Sequence, residues 1–405
     1  MKQTRFGTIG ALIAIVLMLG ACTKRIEVEG EREVARAAPG MVYSVETVGG
    51  YPHLVLRALI RWQGLADAFP TQYGVSLYRV RYWTTGADAS LTVASGLVAL
   101  PRGSRLRGVV SFQHGTATER VSAPSTPDPI DGVLAAAVFA GRGYLLVAPD
   151  YVGLGVSTMP HPYLHADSEA DAVVDLLRAA RGVVAAAGID WPDTLLLTGF
   201  SQGGHATLAA QRLLEAAPLE GLTVKAAAPV AGPFDLAGMS FPFALEGRSK
   251  SSSLYLAYMI CAYANVYGEA LESALRDPYA SKVPVLFDGM HDGNSITAAL
   301  PANPRDMFRE DFLQTYASGE PNWLRDRLTE NGLYEWSPRA PIRLYFGALD
   351  VDVSPREAEV EARRLNARGG DVAAVDVGRF EHEASVLAAM PAVIAWFDQL
   401  TMPRT

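Results

Sequence analysis

Residues 198–206 read Thr-Gly-Phe-Ser-Gln-Gly-Gly-His-Ala and follow the run Asp-Thr-Leu-Leu-Leu. A serine with glycine two places before and two places after is what a sharp strand-to-helix turn requires, because such a turn folds back on itself and leaves no room for side chains at Gly199 and Gly203. On that turn Ser201 is a candidate nucleophile, and the backbone N–H of Gln202 is a candidate donor to the carbonyl oxygen under attack. Glycine fills 37 of 405 positions. The bare pattern therefore arises by chance in roughly one such chain in five, and its setting has to carry the weight.

A hydroxyl attacks only when a neighbouring base takes its proton. On a sheet of parallel strands the partners follow the serine as an acid at a strand end and then a histidine. Of the seven histidines, only His291 and His382 lie clearly beyond the helix that follows Ser201. His291 precedes the acid candidates, whereas His382 follows the strand-like Val-Ala-Ala-Val-Asp-Val-Gly and precedes the last helical pattern, so His382 is the favoured base. The acid candidates are Asp350 and Asp352 in Tyr-Phe-Gly-Ala-Leu-Asp-Val-Asp-Val-Ser-Pro. Gly347, Asp350 and Val353 match the G-x-x-D-x-x-V shape of many hydrolase acid loops, which favours Asp350 over Asp352. A second oxyanion donor is expected in a loop after an early strand, and the backbone N–H of Thr116 in Gln-His-Gly-Thr is the candidate. His114 precedes the serine and reads as a residue that holds this loop.

The elements around these residues follow from hydrophobic pattern. Gly-Val-Val-Ser-Phe-Gln-His-Gly, Tyr-Leu-Leu-Val-Ala-Pro-Asp, Thr-Leu-Leu-Leu-Thr-Gly-Phe, Val-Lys-Ala-Ala-Ala-Pro-Val-Ala-Gly and Ile-Arg-Leu-Tyr-Phe-Gly-Ala-Leu-Asp are short apolar runs separated by helical patterns. That is how a parallel sheet covered on both faces reads. Two alternating segments ahead of them, at 73–85 and 91–101, predict antiparallel leading strands. Val173, Leu176, Leu177, Ala180 and Val184 predict a helix over 168–184, with Ser168 and Asp171 as its capping box. A further helix is expected from Ser201, and a last one within 383–400, bent or restarted at Pro391. From about 233 to 339 the strand rhythm stops, too long a gap for an ordinary connection, and an inserted cap is expected there. Its segment Leu-Tyr-Leu-Ala-Tyr-Met-Ile-Cys-Ala-Tyr-Ala-Asn-Val-Tyr is apolar nearly all round and too short to span a bilayer, so it predicts a buried cap helix.

The N-terminal stretch has Lys2 and Arg5 ahead of an uncharged run from Phe6 to Ala21, the layout of a secretory signal over 1–21. Leu19-Gly20-Ala21-Cys22 resembles the lipobox of bacterial lipoproteins, which implies lipidation of Cys22 and a lipid-anchored protein of the bacterial cell envelope. Residues 22–40 then form a mixed-charge tether, and 41–405 the folded domain. A lipidated Cys22 leaves Cys261 with no partner for an intramolecular disulfide. Without residues 1–21 the chain has 33 basic against 43 acidic side chains, about −10, which argues against nucleic acid as a partner.

Taken together, Ser-Phe-Gln-His-Gly-Thr-Ala-Thr-Glu-Arg-Val-Ser-Ala-Pro-Ser, Asp-Tyr-Val-Gly-Leu-Gly, the run from His161 to Arg181 and Gly-Phe-Ser-Gln-Gly-Gly-His-Ala resemble the α/β-hydrolase superfamily and, within it, the secretory lipase branch with its bacterial relatives. The specific part runs from Ser111 to Ala206, while the cap matches only in position and length. The resemblance implies an α/β-hydrolase fold, a mostly parallel central sheet with helices on both faces and an inserted, largely helical cap. It also implies a serine carboxylic ester hydrolase acting on a small-molecule or lipid ester without a cofactor, with Ser201, Asp350 and His382 as triad and Thr116 and Gln202 as oxyanion donors. Related secreted enzymes often carry disulfides, which this chain cannot form. A serine peptidase on the same fold, or a binding protein that kept it, is the competing expectation. Gly153-Leu154-Gly155 reads as a structural turn, because Thr158 stands where a dinucleotide site needs its third glycine. His161 and His165 have a metal-like spacing but Pro162 between them and no acidic ligand cluster. Asp150 and Tyr151 are expected to shape the loop near the pocket, and His205 to point away from Ser201.

Overall fold

The computed structural model describes residues 37–62, 69–126 and 130–402. The expected signal segment, Cys22 and the tether up to residue 36 lie outside the described residues.

One sheet of nine strands organises the chain: β1 (Val42–Tyr51), β2 (Val75–Thr85), β3 (Leu91–Pro101), β4 (Val109–Gln113), β5 (Leu145–Pro149), β6 (Thr194–Phe200), β7 (Thr223–Val230), β8 (Ile342–Phe346) and β9 (Val372–Asp376). Their order is β1-β2-β3-β5-β4-β6-β7-β8-β9. The pairings β1/β2, β2/β3 and β3/β5 are antiparallel, and from β5 through β4 to β9 all neighbours are parallel. The apolar runs become strands because both their faces are covered: alternate residues of one strand enter different cores. Val109, Leu145, Leu195 and Leu197 face one helical layer, and Val110, Leu146 and Leu196 face the other.

The helices of the main body are α1 (His53–Trp62), α2 (Ile130–Val138), α3 (Ala166–Ala186) and α4 (Gln202–Ala216). Six more lie between β7 and β8: α5 (Phe241–Ala244), α6 (Ser252–Tyr267), α7 (Tyr279–Leu286), α8 (Gly293–Ala299), α9 (Glu310–Ser318) and α10 (Trp323–Glu330). The chain closes with α11 (Pro355–Ala367) and α12 (His382–Thr401). Helices α3, α4 and α11 pack on one sheet face through residues such as Val173, Leu208 and Leu365. Helices α1, α2 and α12 cover the other through Leu56, Ala136 and Phe397. The helical cap has a core of its own, built around Leu256, Ile260 and Tyr263 of α6 with Phe308 and Leu324.

Three expectations are corrected. The helix predicted over 168–184 runs from Ala166 to Ala186, and its N-cap is His165, whose ring nitrogen accepts from the Ser168 N–H. The Ser168–Asp171 capping box is therefore absent: Ser168 sits inside the first turn and donates its hydroxyl to the His165 carbonyl. The last helix does not restart at Pro391 but passes through it as one element, and it begins at His382. Neither β1 nor α1 was anticipated: β1 is a half-buried edge strand of mixed polarity that includes Gly49 and Gly50.

Candidate active site

Ser201 stands between the end of β6 and the first residue of α4 with φ 56° and ψ −120°. A positive φ at a residue with a side chain costs on the order of 1–3 kcal/mol, and such strain persists only where the surroundings impose it. Here the Ser201 N–H donates to the Val230 carbonyl at 2.9 Å, and its own carbonyl accepts from Gly204 at 2.8 Å. A Cβ at Gly203 would lie 2.0 Å from the Gln113 carbonyl oxygen, and one at Gly204 2.7 Å from the Gly232 Cα. Gly203 thus lets the turn close against β4, and Gly204 lets α4 approach the end of β7.

The three residues expected to act on one another, drawn from distant parts of the chain, come together at this turn. His382 Nε2 lies 2.9 Å from Ser201 Oγ, and His382 Nδ1 lies 2.7 Å from Asp350 Oδ2. All three residues are buried. The second oxygen of Asp350 accepts from the backbone N–H groups of Asp352 and Val353, each at 2.9 Å, so the loop after β8 fixes the carboxylate from its own backbone. The Phe200 ring packs on the imidazole at 4.7 Å between centroids. Asp352, the alternative acid, accepts instead from Ser249 of the cap at 2.8 Å. Ligand atoms of Asp350, Asp352 and His382 lie within 4.8 Å of one another. Hydrogen bonds already engage both Asp350 oxygens and both His382 ring nitrogens.

Gln202 opens α4, where the first N–H groups have no partner inside the helix. Thr116 lies in the loop after β4, and its N–H reaches no backbone carbonyl among the described residues. Its hydroxyl meets Tyr163 Oη at 2.9 Å. His114 holds the same loop through Gly115 at 2.7 Å and packs its ring on Tyr151 at 4.5 Å. Tyr151 donates to the His114 carbonyl at 3.2 Å. The Asp150 carboxylate is buried and accepts from Ser95, from the Ser125 hydroxyl and from the Ser125 N–H. Burial raises its pKa, against these hydrogen bonds.

A cleft of about 770 Å³ opens over Ser201 and His382. One wall is apolar, from Phe112, Leu134, Val138 and Phe139 on one side to Val386 and Met390 of α12 on the other. Toward the cap the lining turns polar, with Glu119, Lys250, Asp292 and Asn294.

Residues that sequence reasoning passed over lie behind the turn. His161 and His165 do not converge on a common point: His161 contacts Val152 and Gln202, while His165 caps α3. His205 faces away from Ser201, as expected of it, and also pairs with the buried Glu169 at 2.7 Å. The signal for this group was its polarity: Glu169 and His205 are ionisable residues set among the small and apolar residues of two covering helices. Cys261 is a half-buried thiol whose pKa burial pushes up to about 12.

A profile of the secretory lipase family matches residues 130–232, the stretch from α2 to the end of β7 that includes the Ser201 turn. No curated protein sequence matches the chain. Among solved structures, a Legionella pneumophila protein provisionally assigned as a hydrolase superposes with a TM-score of 0.84 at 26% identity, over 90% of this chain and 99% of the other. The rice cell wall degrading esterase LipA of Xanthomonas oryzae gives 0.81 at 27% identity, over 89% and 98%. Lipase A of Candida antarctica in its closed state gives 0.66 at 14% identity, over 92% and 85%, a likeness of fold alone. By fold the chain is an α/β-hydrolase, and within that fold its resemblance is to the secretory lipases and to bacterial esterases.

Proposed function

We propose that this protein is a serine carboxylic ester hydrolase that works through an acyl-enzyme. The observation that carries the reading is the hydrogen-bonded line from Ser201 Oγ to His382 Nε2 at 2.9 Å and from His382 Nδ1 to Asp350 at 2.7 Å, at the floor of a cleft. Ser201 attacks the ester carbonyl while His382 takes its proton, and Asp350 holds the imidazole in the tautomer whose Nε2 accepts. The backbone N–H groups of Gln202 and Thr116 receive the oxyanion. His382 then protonates the leaving alcohol, and a water activated by the same imidazole releases the acid. The apolar wall between α2 and α12 is the proposed seat of the acyl chain. No cofactor is required by this chemistry. The resemblance to secretory lipases and to LipA, itself an esterase, supports the ester reading. The lipobox-like Leu19–Cys22 supports export and a lipid anchor at Cys22 in the cell envelope.

A fluorophosphonate probe labels Ser201 on this reading, and Ser201→Ala abolishes both labelling and turnover of p-nitrophenyl esters. Labelling that survives the substitution refutes the assignment. Aminoacyl-naphthylamides cleaved faster than esters would make the chain a peptidase on the same fold.

A further inference from the structure

Glu169 and His161 take no part in the steps above, yet both are buried directly behind the turn that carries Ser201. Glu169 Oε1 accepts from the side-chain amide of Gln202 at 2.8 Å. His161 Nδ1 lies 2.7 Å from the Val152 carbonyl, which can only accept, so that nitrogen carries the proton and Nε2 keeps its lone pair. Burial holds the His161 pKa down at about 4, and the ring is neutral at physiological pH. The Gln202 Nε2 lies 2.8 Å from that lone pair. Both protons of one amide nitrogen are thereby used, one by Glu169 and one by His161. Turning the amide over would aim its oxygen at two acceptors, so the side chain has a single orientation. Its Oε1 is left buried without a partner, a penalty the fold accepts to hold that orientation.

The residue locked in this way is the one whose backbone N–H faces the oxyanion. We propose that Glu169 and His161 are positioning residues: by clamping the Gln202 side chain they hold its backbone N–H at the oxyanion site before charge develops there. This rests on the ester-hydrolase reading and extends it. Two further contacts give the clamp its reach. The His161 ring lies against Tyr163 and Tyr258, whose hydroxyls meet Thr116 Oγ1 at 2.9 Å and the Ala117 carbonyl at 3.2 Å, so one imidazole stands between the two loops that supply the donors. Glu169 Oε2 faces His205 Nδ1 at 2.7 Å, and His205 Nε2 reaches the Asn331 carbonyl at the end of α10 at 3.0 Å. The clamp therefore joins α3, α4 and the cap.

The test compares Glu169→Leu, which leaves no acceptor for the Gln202 amide, Gln202→Met and the double variant with the unaltered chain, using p-nitrophenyl butyrate and an alkyl trifluoromethyl ketone, whose hemiketal oxygen occupies the donors. A donor that is displaced rather than deleted should lower kcat by about 10–100-fold, less than the loss of a whole donor, with KM within twofold. The ketone's inhibition constant should rise by the factor by which kcat/KM falls, and the double variant should be no worse than the poorer single one, since both break the same bond. His161→Phe keeps a buried ring, removes the acceptor, and supplies the same comparison should Glu169→Leu fail to fold. The inference is overturned if kcat stays within threefold, if KM rises while kcat holds, or if the single losses multiply in the double variant. Failure of the underlying reading shows separately, as an unaltered chain that turns over no ester and does not bind the ketone.

Discussion

Replacing Asp350 by Asn tests the proposed mechanism most sharply, because the change is nearly isosteric and the consequence is a misplaced proton. Asp350 Oδ1 accepts from the N–H groups of Asp352 and Val353, and Oδ2 faces His382 Nδ1 at 2.7 Å. Asparagine can keep the first two bonds with its carbonyl oxygen, which turns its NH2 group toward His382. Two donors cannot face each other, so the imidazole shifts its proton to Nε2, the nitrogen that lies 2.9 Å from Ser201 Oγ and has to accept. The ring then offers no base where one is needed. In triads of this geometry the wrong tautomer lowers kcat by about 10⁴, and at 1.36 kcal/mol per decade this is roughly 5 kcal/mol of transition-state stabilisation. We expect Asp350→Asn to lose on the order of 10³–10⁴ in kcat on p-nitrophenyl butyrate, with KM and melting temperature little changed. Asp352→Asn retains an oxygen for the Ser249 hydroxyl and should cost less than about fivefold. Equal losses in the two variants, or an Asp350→Asn enzyme within tenfold of the parent, would refute the reasoning.

The remaining expectations concern pH and substrate size. Burial raises the carboxyls of Glu357 and Glu361 to about 7 and about 8 from an ordinary value of 4.5, so the folded chain holds protons that the unfolded chain has released. Stability is then greatest below about pH 4.5 as far as these two groups are concerned, and it is lost as pH rises toward 8. Thermal melts should show a midpoint roughly 5 °C lower at about pH 8.5 than at about pH 5.5, and Glu361→Gln should flatten the slope; a midpoint that rises over this range counts against it. Leu134→Trp, on the apolar wall of the cleft, should depress kcat/KM on octanoate relative to acetate esters by at least tenfold. An unchanged ratio would place the acyl chain elsewhere.

How much could be read beforehand depended on how local the governing physics is. Strands β4 to β8 were legible because a strand covered on both faces is a continuous apolar run, as at Leu145–Pro149. Strand β1 was not, because its residues are nearly all half-buried and mixed in polarity, so neither an apolar run nor a clean alternation marks it. The start of α3 was misread because a serine three residues ahead of an aspartate looks like a cap, while the ring of His165 does the capping in space. The choice between Asp350 and Asp352 turns on which side chain the loop after β8 aims at His382, a matter of backbone path rather than residue type. The Glu169–Gln202 contact spans 33 positions between two separate helices, and no periodicity announces it.

His382 is the first residue of the final helix, and the bond it makes to Ser201 joins positions 181 apart. The fold buries α12 against the sheet through Val393 and Phe397, so the imidazole reaches the serine only once that closing element has docked. A chain in which α12 has not docked has no imidazole beside Ser201. On the proposed mechanism Ser201 in such a chain is a latent nucleophile, which the docking of α12 arms. The rate at which a fluorophosphonate becomes attached during refolding would then time the docking of α12.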